Sequence, residues 1–358
     1  MAIEKLVEGR ISRAINERVF PACVVGVVKK SGQRLVLPAG NFTYEDNSPV
    51  VTADSIFDVA SITKAIPTSS LALKLIDEGK LAPGDKLIDF IPEFRNRDRD
   101  EVLIRHLLTY TLDWDFYLSS LKNESADKIL ERILTADFRT KPGKKLDYIN
   151  STSILLGLLV ERVLGETLDT LGNKYFFEPL KMDRTTFWPL KKFDKKEIVP
   201  TENDDWRGGD IQGEVHDEST FVFMKDGRAV GSAGLFSTVP DLLNFLEMLL
   251  NKGELNGKRY FSPEIINSMH TNQLEYLGES AGLGWELYQP RYMGQYCAKE
   301  TFGKTGFTGC VVICDISKGV GMAMLSNATY PKRKPRQEHM ATINAVRRDI
   351  ADIIFTDS

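Results

Sequence analysis

The first forty residues show the apolar pattern of a helix followed by a β-hairpin. Charged and apolar residues alternate over residues 3–19 in a way typical of an amphipathic helix. Residues 23–29 then form a nearly continuous β-branched run, a turn signal follows at Ser31-Gly32, and residues 34–37 are apolar again. This order predicts two antiparallel strands joined by a short turn.

The C-terminal part of the chain repeats the pattern of strand, turn and strand. Residues 310–315 and 320–326 are apolar and β-branched, and residues 317–319 between them have turn-forming composition. Helical periodicity follows over residues 341–355. We therefore expect both ends of the chain to build one antiparallel sheet, with the terminal helices packed against it.

The middle of the chain has apolar residues at three- and four-residue spacing, which predicts helices. The predicted helices cover residues 102–109, 126–134, 151–164, 168–177 and, on the sheet side, 241–250. The fold class that follows is an α/β (α+β) sandwich, with an antiparallel sheet flanked by terminal helices and an inserted all-helical region. We expect residues 1–85 and 200–358 to form the sheet domain and residues 86–199 the helical one.

Composition limits the classes of partner. Hydrophobic residues make up 42% of the chain, enough for a substantial core. The net charge is -4 and the only basic tract is the short segment 331–336, so nucleic acid is not expected as a partner. Four cysteines do not make a disulfide framework, and we expect them to be reduced. Neither a metal nor a cofactor is predicted.

The distribution of apolar residues also bears on location. No apolar run approaches the roughly 20 residues that a helix needs to cross a bilayer, so no membrane span is predicted. The N-terminus lacks the uninterrupted apolar core of a secretion signal. We therefore expect a cytoplasmic protein.

Candidate chemistry centres on Ser61-Ile62-Thr63-Lys64, at the start of an apolar helical pattern. A serine hydroxyl is a weak nucleophile at neutral pH and needs a positioned base. Residues three apart on a helix share a face, so Lys64 can reach Ser61. We expect a helix to start at Ser61, and Pro67 to bend it or delay its regular part because proline lacks an amide hydrogen.

Two downstream motifs distinguish Ser61 from other serines with a lysine three residues on. The same spacing occurs at Ser119 and Ser125, so spacing alone is uninformative. Tyr148-Ile149-Asn150 and Lys304-Thr305-Gly306 are each the only match in the chain to Tyr-x-Asn and Lys-Thr-Gly. Together with Ser61 they predict an acyl-transfer site in a groove between the sheet and the helical region.

With these three motifs the chain resembles the serine β-lactamase-related hydrolases, in particular class C β-lactamases, D-alanyl-D-alanine carboxypeptidases and family VIII esterases. The resemblance covers most of the chain and implies a β-lactamase/transpeptidase-like fold. Further segments similar to that family are residues 105–109, 213–218, 233–238, 282–285 and 305–309. We interpret these segments as scaffold.

Ser61 is the predicted nucleophile, which attacks a carbonyl carbon and forms an acyl-enzyme. Its backbone N–H lies near a helix N-terminus, where negative charge is favoured, and can supply half of an oxyanion hole. The resemblance implies that the backbone N–H of Phe307 supplies the other half. The alternative for Ser61 is a helix-capping serine.

Lys64 and Tyr148 together are the predicted general base. A free tyrosine has a pKa of about 10, but a nearby ammonium favours the phenolate, and desolvation disfavours the charged lysine. The two groups are therefore expected to share a proton near neutrality. The alternatives are a solvated helix-face lysine and a half-buried tyrosine.

The other motif residues are predicted to bind substrate. Asn150 is expected to hold Lys64 or to contact a substrate amide, with a turn or helix cap before Ser151 as the alternative. Lys304 and Thr305 would present a cation and a hydroxyl to the leaving group or the carboxylate of the substrate, and Gly306 completes that motif. An exposed edge-strand lysine is the alternative for Lys304.

The leading functional hypothesis is a serine hydrolase with an acyl-enzyme, a carboxylesterase that acts on small esters or related amides. A β-lactamase or D-alanyl-D-alanine carboxypeptidase has the same chemistry but is disfavoured by the expected cytoplasmic location. A catalytically idle scaffold that binds peptides or acyl groups fits poorly because all three motifs are present. Transfer to an acceptor other than water, the acyl and leaving groups, and the oligomeric state stay open.

Overall fold

The computed structural model describes residues 2–95 and 97–356. Its strands in chain order are β1 (Ala22–Lys29), β2 (Arg34–Gly40), β3 (Phe57–Asp58), β4 (Glu202–Asp204), β5 (Gly209–Ile211), β6 (Phe236–Ser237), β7 (Glu254–Leu255), β8 (Lys258–Arg259), β9 (Glu286–Leu287), β10 (Phe302–Thr305), β11 (Val311–Asp315) and β12 (Val320–Ser326). Its α-helices are α1 (Ala2–Asn16), α2 (Ser70–Asp77), α3 (Ile104–Leu108), α4 (Ala126–Thr135), α5 (Asn150–Leu164), α6 (Leu168–Gly172), α7 (Pro189–Lys192), α8 (Glu218–Lys225), α9 (Val239–Leu250), α10 (Pro263–His270), α11 (Pro290–Met293) and α12 (Arg336–Thr356).

Strands from both ends of the chain lie side by side in one six-stranded antiparallel sheet, in the order β2-β1-β12-β11-β10-β9. The predicted hairpin and the predicted C-terminal strands are therefore confirmed, as are the two terminal helices. Strand β10 lies next to the sheet edge formed by β9. The Lys-Thr-Gly motif is thus held beside the edge of the sheet.

The central strands are apolar throughout because both faces of the sheet are covered. Successive side chains of a strand point to opposite faces. Val24 and Val28 of β1 belong to the core that includes α9, whereas Val25 and Val27 belong to a second core with α1 and α12. Gly26 allows α9 to approach closely, since a Cβ there would lie 2.2 Å from Cγ1 of Val239.

The segment after Ser61 is not one regular helix. A 3-10 turn (Ala60–Lys64) and a single π turn (Ala65–Ser69) precede α2, which begins only at Ser70. Ile66 has an extended backbone, with φ -122° and ψ 108°, as is usual before a proline. The expectation of a regular helix that starts at Ser61 is therefore wrong, whereas the expected delay at Pro67 is confirmed.

The middle of the described chain is mainly helical. The predicted helices over residues 102–109, 126–134 and 151–164 are confirmed as α3, α4 and α5, while the one over residues 168–177 divides into α6 and a π turn (Asn173–Phe177). The division into domains at residues 86 and 199 stays a prediction. Within the described residues, no helix combines the length and apolar character required of a membrane span.

Candidate active site

Ser61 is the second residue of the 3-10 turn that follows β3. Side chains three apart nearly eclipse each other in a 3-10 helix, so this turn aligns Ser61 with Lys64. The preceding residue, Ala60, has a left-handed backbone with φ 48°. A carboxylate oxygen of Asp58 accepts a 2.8 Å hydrogen bond from the Ala60 amide and holds this conformation in place.

Lys64 is fully buried and its ammonium nitrogen lies 2.9 Å from the Ser61 hydroxyl. The same nitrogen donates a 2.6 Å hydrogen bond to the backbone carbonyl of Ser232. Burial disfavours the charged form and lowers the pKa of Lys64 to about 7, although the charge of Asp217 opposes the shift. Lys64 is therefore not a solvated helix-face lysine.

Asp217 is the acidic residue with the largest charge effect on Lys64, and sequence reasoning missed it. It caps α8, since its carboxylate accepts from the Thr220 amide at 2.9 Å. Burial raises its pKa, but hydrogen bonds from Ser219 and the Thr220 amide and the charge of Lys64 outweigh this, and its pKa is lowered. Asp217 thus stays ionised beside the candidate base.

Tyr148 precedes α5, and its ring faces two ammonium groups. The ring centroid lies 4.0 Å from the Lys304 nitrogen and 5.5 Å from the Lys64 nitrogen. The residue as a whole is 40% exposed, yet desolvation of its hydroxyl and the charge of Glu286 raise its pKa, against a hydrogen-bonding interaction with Ser61 that lowers it. The phenol is therefore protonated at neutral pH, contrary to the predicted sharing of a proton with Lys64.

Lys304 is buried on β10 and bonded to a carboxylate. Its nitrogen donates a 2.9 Å hydrogen bond to Glu286, which lies on the neighbouring strand. Burial raises the pKa of Glu286, but the charge and hydrogen bond of Lys304, with smaller effects from Tyr292 and Arg291, together leave it lowered. The prediction of an exposed edge-strand lysine as the alternative is wrong, because 0% of Lys304 is exposed.

Asn150 and Thr305 are the remaining polar side chains of the two downstream motifs. The Asn150 amide donates a 2.8 Å hydrogen bond to Asp217, the residue that also acts on Lys64. Asn150 thus holds the counter-charge of Lys64, no bond from it to Lys64 itself occurs in the described structure, and the predicted contact with a substrate amide stays a prediction. Thr305 ends β10 opposite Val311 and is half-buried, which leaves part of its side chain accessible.

Gly306 and Phe307 begin a turn over residues 306–309 that packs directly against the strand before Ser61. A Cβ at Gly306 would lie 2.3 Å from the carbonyl oxygen of Val59, so only glycine permits this approach. The Thr308 hydroxyl donates a 2.8 Å hydrogen bond to the carbonyl of Asp58. In the described part of the chain, the amides of Ser61 and Phe307 donate to no acceptor.

Two residues of α12 hold the 306–309 turn, and sequence reasoning missed both. Arg347 is fully buried and donates hydrogen bonds to the carbonyls of Gly306, at 2.6 Å, and Cys310, at 2.8 Å. His339 contacts the carbonyl oxygen of Phe307 through Nε2 at 2.7 Å. These contacts orient the Phe307 peptide group.

The arrangement contains the parts required for acyl transfer. A hydroxyl contacts a lysine of lowered pKa, a protonated phenol lies beside them, and two unpaired amides belong to segments that pack together. No cluster of three or more histidine, cysteine or acidic side chains suited to a metal occurs within the described ranges.

Residues 5–346 match the family model described as Beta-lactamase. The chain belongs to the beta-lactamase family. The resemblance stated from the sequence is therefore confirmed, and the family is one of serine hydrolases of the β-lactamase and transpeptidase type. A protein of Escherichia coli (strain K12) named "Putative D-alanyl-D-alanine carboxypeptidase" is 30% identical over 319 residues, which cover 79% of this chain and 73% of the relative.

Two solved structures share the fold of this beta-lactamase family member. EstCE1, described as a hydrolase with promiscuous acyltransferase activity, superposes with a TM-score of 0.75 at 19% identity over 96% of this chain and 98% of that one. A penicillin-binding protein homologue from Caulobacter crescentus gives a TM-score of 0.76 at 19% identity over 100% and 98%. The predicted fold class is therefore confirmed.

Proposed function

We propose that this protein forms an acyl-enzyme at Ser61 and acts as a carboxylesterase on small esters or related amides. The observation that supports this most strongly is the 2.9 Å contact between Ser61 and a lysine whose pKa is about 7. A lysine of ordinary pKa is charged at neutrality and cannot accept a proton. With its pKa lowered to about 7, Lys64 has a neutral form available near neutral pH and can act as the base.

The proposed acylation begins when Lys64 takes the Ser61 proton while Oγ bonds to the carbonyl carbon. The amides of Ser61 and Phe307 stabilise the negative charge that develops on the carbonyl oxygen. Collapse of this intermediate breaks the bond to the leaving alkoxide, which takes the proton of the Tyr148 hydroxyl, and Lys64 returns its proton to Tyr148. Water then attacks the acyl-enzyme, with Lys64 and Tyr148 again transferring the protons, and the acid is released from Ser61.

The pairing of Lys304 supports a neutral substrate. Glu286 neutralises this ammonium at 2.9 Å, so a substrate carboxylate would have to compete with a built-in one. Neutral esters avoid that competition. In this proposal Lys304 shapes the electrostatic field around Tyr148 and makes no ion pair with substrate.

A D-alanyl-D-alanine carboxypeptidase is the second candidate, and one residue favours it. Arg336 is exposed at the start of α12, and its charge acts on both Lys64 and Tyr148. Within the described residues it forms no salt bridge, in contrast to Lys304. A carboxylate at the end of a peptide substrate could bind there, and the relative from E. coli is named for such a substrate.

The test is labelling by a fluorophosphonate probe in competition with neutral esters, β-lactams and peptides that end in D-Ala-D-Ala. We expect labelling of the wild type, protection by neutral esters above all, and no labelling of Ser61→Ala. Ser119→Ala is the matched control and should label normally, because Ser119 has the same spacing to a lysine. A catalytically idle scaffold would not label, and protection by peptides alone would establish the second candidate.

A further inference from the structure

A cavity of about 270 Å³ lies between the end of α1, the segment before α12 and the start of α12. Liquid water occupies about 30 Å³ per molecule, so the cavity has room for a small organic compound. It is separate from the candidate active site, since Ser61, Lys64 and Tyr148 do not line it. Its lining includes Arg18, Tyr44, Tyr330, Lys332, Lys334 and His339.

The charged residues at this cavity are mainly basic. Three cations, Arg18, Lys332 and Lys334, line it together with one acid, Glu17. Lys332 and Lys334 form exposed ion pairs with acids outside the lining, which give little stabilisation and exchange readily. Among the described residues Arg18 has no ion-pair partner, so its guanidinium can accept an anion.

The position of Arg18 is fixed by the backbone. It follows α1 with φ 55°, a left-handed conformation that favours glycine at a helix end. Its amide donates to the Ile15 carbonyl at 2.9 Å, and the amide of Val19 donates to Ala14 at 2.9 Å. An arginine thus occupies a backbone conformation that is unfavourable for any residue other than glycine, and it does so next to the cavity.

Aromatic rings form the other walls. The Arg18 guanidinium lies 4.2 Å from the centroid of the Tyr44 ring, and Tyr330 lines the cavity as well. The Tyr44 hydroxyl is buried and has no hydrogen-bond partner within the described chain. Cations beside aromatic rings suit an anion that also carries an apolar or planar part.

His339 connects this cavity to the 306–309 turn. The imidazole lines the cavity and contacts the carbonyl oxygen of Phe307 at 2.7 Å. The centroids of the His339 and Phe307 rings lie 4.6 Å apart. The carbonyl oxygen and the next amide belong to one planar peptide group, and the Phe307 amide lies on the other side of the same residue. A ligand that moves His339 therefore changes the orientation of the Phe307 backbone, including its amide.

We propose that this cavity binds a small organic phosphate and that its occupancy alters ester turnover through His339 and Phe307. A phosphate monoester carries close to two negative charges at pH 7, which match Arg18 together with the two lysines. The guanidinium supplies paired N–H donors, and the tyrosine rings accommodate the organic part.

Calorimetric titration of the full chain with phenyl phosphate, inorganic phosphate and benzoate at constant ionic strength tests the binding site. Phenyl phosphate should bind at least tenfold more tightly than benzoate, and more tightly than inorganic phosphate. Arg18→Gln should weaken it at least tenfold, whereas Arg348→Gln, an exposed arginine of α12 outside the lining, should change it less than twofold. Equal affinity in the two variants, or no binding to wild type, overturns the proposal.

The coupling is tested by aryl-ester turnover with and without saturating phenyl phosphate. We expect kcat/KM of the wild type to change at least twofold, and that of Arg18→Gln, whose fold is checked by circular dichroism, not to respond. His339→Gln should still bind phenyl phosphate but lose the response. Binding without any change in turnover overturns the regulatory role. The regulatory role rests on the proposed ester hydrolysis, whereas the binding measured by calorimetry does not depend on it.

Discussion

Lys304 donates a 2.9 Å hydrogen bond to Glu286, which lies beside it on the edge strand of the sheet. The ammonium also lies 4.0 Å from the centroid of the Tyr148 ring. Because the lysine is fully buried, its carboxylate partner offsets much of the cost of desolvating the charge. Lys304 therefore belongs to the electrostatic framework of Tyr148.

Replacement of Lys304 should affect neutral and anionic substrates alike. Lys304→Ala removes a charge beside Tyr148 but leaves the partly buried Glu286 with the Tyr292 hydroxyl at 2.9 Å and Arg291 at 3.8 Å, so folding stability should fall by less than the roughly 3 to 5 kcal/mol of a fully buried broken pair. We expect kcat/KM for a neutral aryl ester and for a carboxylate-bearing analogue to fall by factors within about threefold of each other. Steady-state kinetics on both substrates measures this, and a loss confined to the anionic ester would show that Lys304 binds the substrate carboxylate.

Arg336→Gln should separate the two substrates. The guanidinium is exposed and unpaired in the described structure, so its loss should not disturb the fold. If a substrate carboxylate binds there, kcat/KM for the anionic ester should fall about tenfold, near the lower end of a charge-assisted hydrogen bond, while the neutral ester stays within twofold. If kcat/KM of the variant equals that of the wild type for both esters, the argument for a peptide substrate is removed.

The sequence predicted the parts of this molecule that local pattern determines. The β-branched run of β1 and the spacing between Ser61 and Lys64 are local, and both gave the correct structure. Pro67 even indicated the break before α2. The contacts of Asp217 with Asn150 and of Glu286 with Lys304 instead join segments that no periodicity relates.

Arg347 and Arg348 show how much more could have been predicted. The two arginines are adjacent, yet one is fully buried against the 306–309 turn and the other is exposed. The helical period places position 347 on the face of Ile343 and Ile350, which was a signal for its burial. The carbonyl groups that it binds could not be predicted, because they come from a turn whose position depends on the whole sheet.

Asp217→Asn should shift the pH dependence of acylation to lower pH. The negative charge of Asp217 raises the pKa of Lys64, so its removal lowers that pKa below about 7. Because neutral Lys64 is the proposed base, the wild-type rate should fall as pH drops through about 7, and the variant should retain activity further into acid. Pre-steady-state acylation rates from pH 5 to 9 measure the midpoint. Asp127→Asn, an exposed acid of α4, is the control and should leave it unchanged.

Ala60→Gly should be tolerated far better than Ala65→Gly. Ala60 has φ 48°, where glycine relieves strain, whereas Ala65 has φ -89° and ψ -45° and gains nothing from glycine. We expect the free energy of unfolding of Ala60→Gly to stay within about 1 kcal/mol of wild type, and that of Ala65→Gly to fall by about 1 kcal/mol or more. Denaturant titration measures both. A larger loss for Ala60→Gly would mean that its methyl group, and not Asp58, holds the turn.

Tyr148→Phe should slow the release of poor leaving groups much more than that of good ones. The pKa of the phenol is raised, so Tyr148 is a proton donor in the resting enzyme. An alkyl alkoxide needs that proton to leave, and its acylation rate should fall about 100-fold to 10,000-fold, the usual range for a lost general acid. A nitrophenolate leaves without protonation, and the acylation rate with a nitrophenyl ester should fall less than tenfold.

Tyr110→Phe is the matched control, because the Tyr110 ring lies 5.1 Å from that of Tyr148 while its hydroxyl bonds to Ser153. Equal losses for the alkyl and nitrophenyl esters would instead make Tyr148 part of the base that activates Ser61.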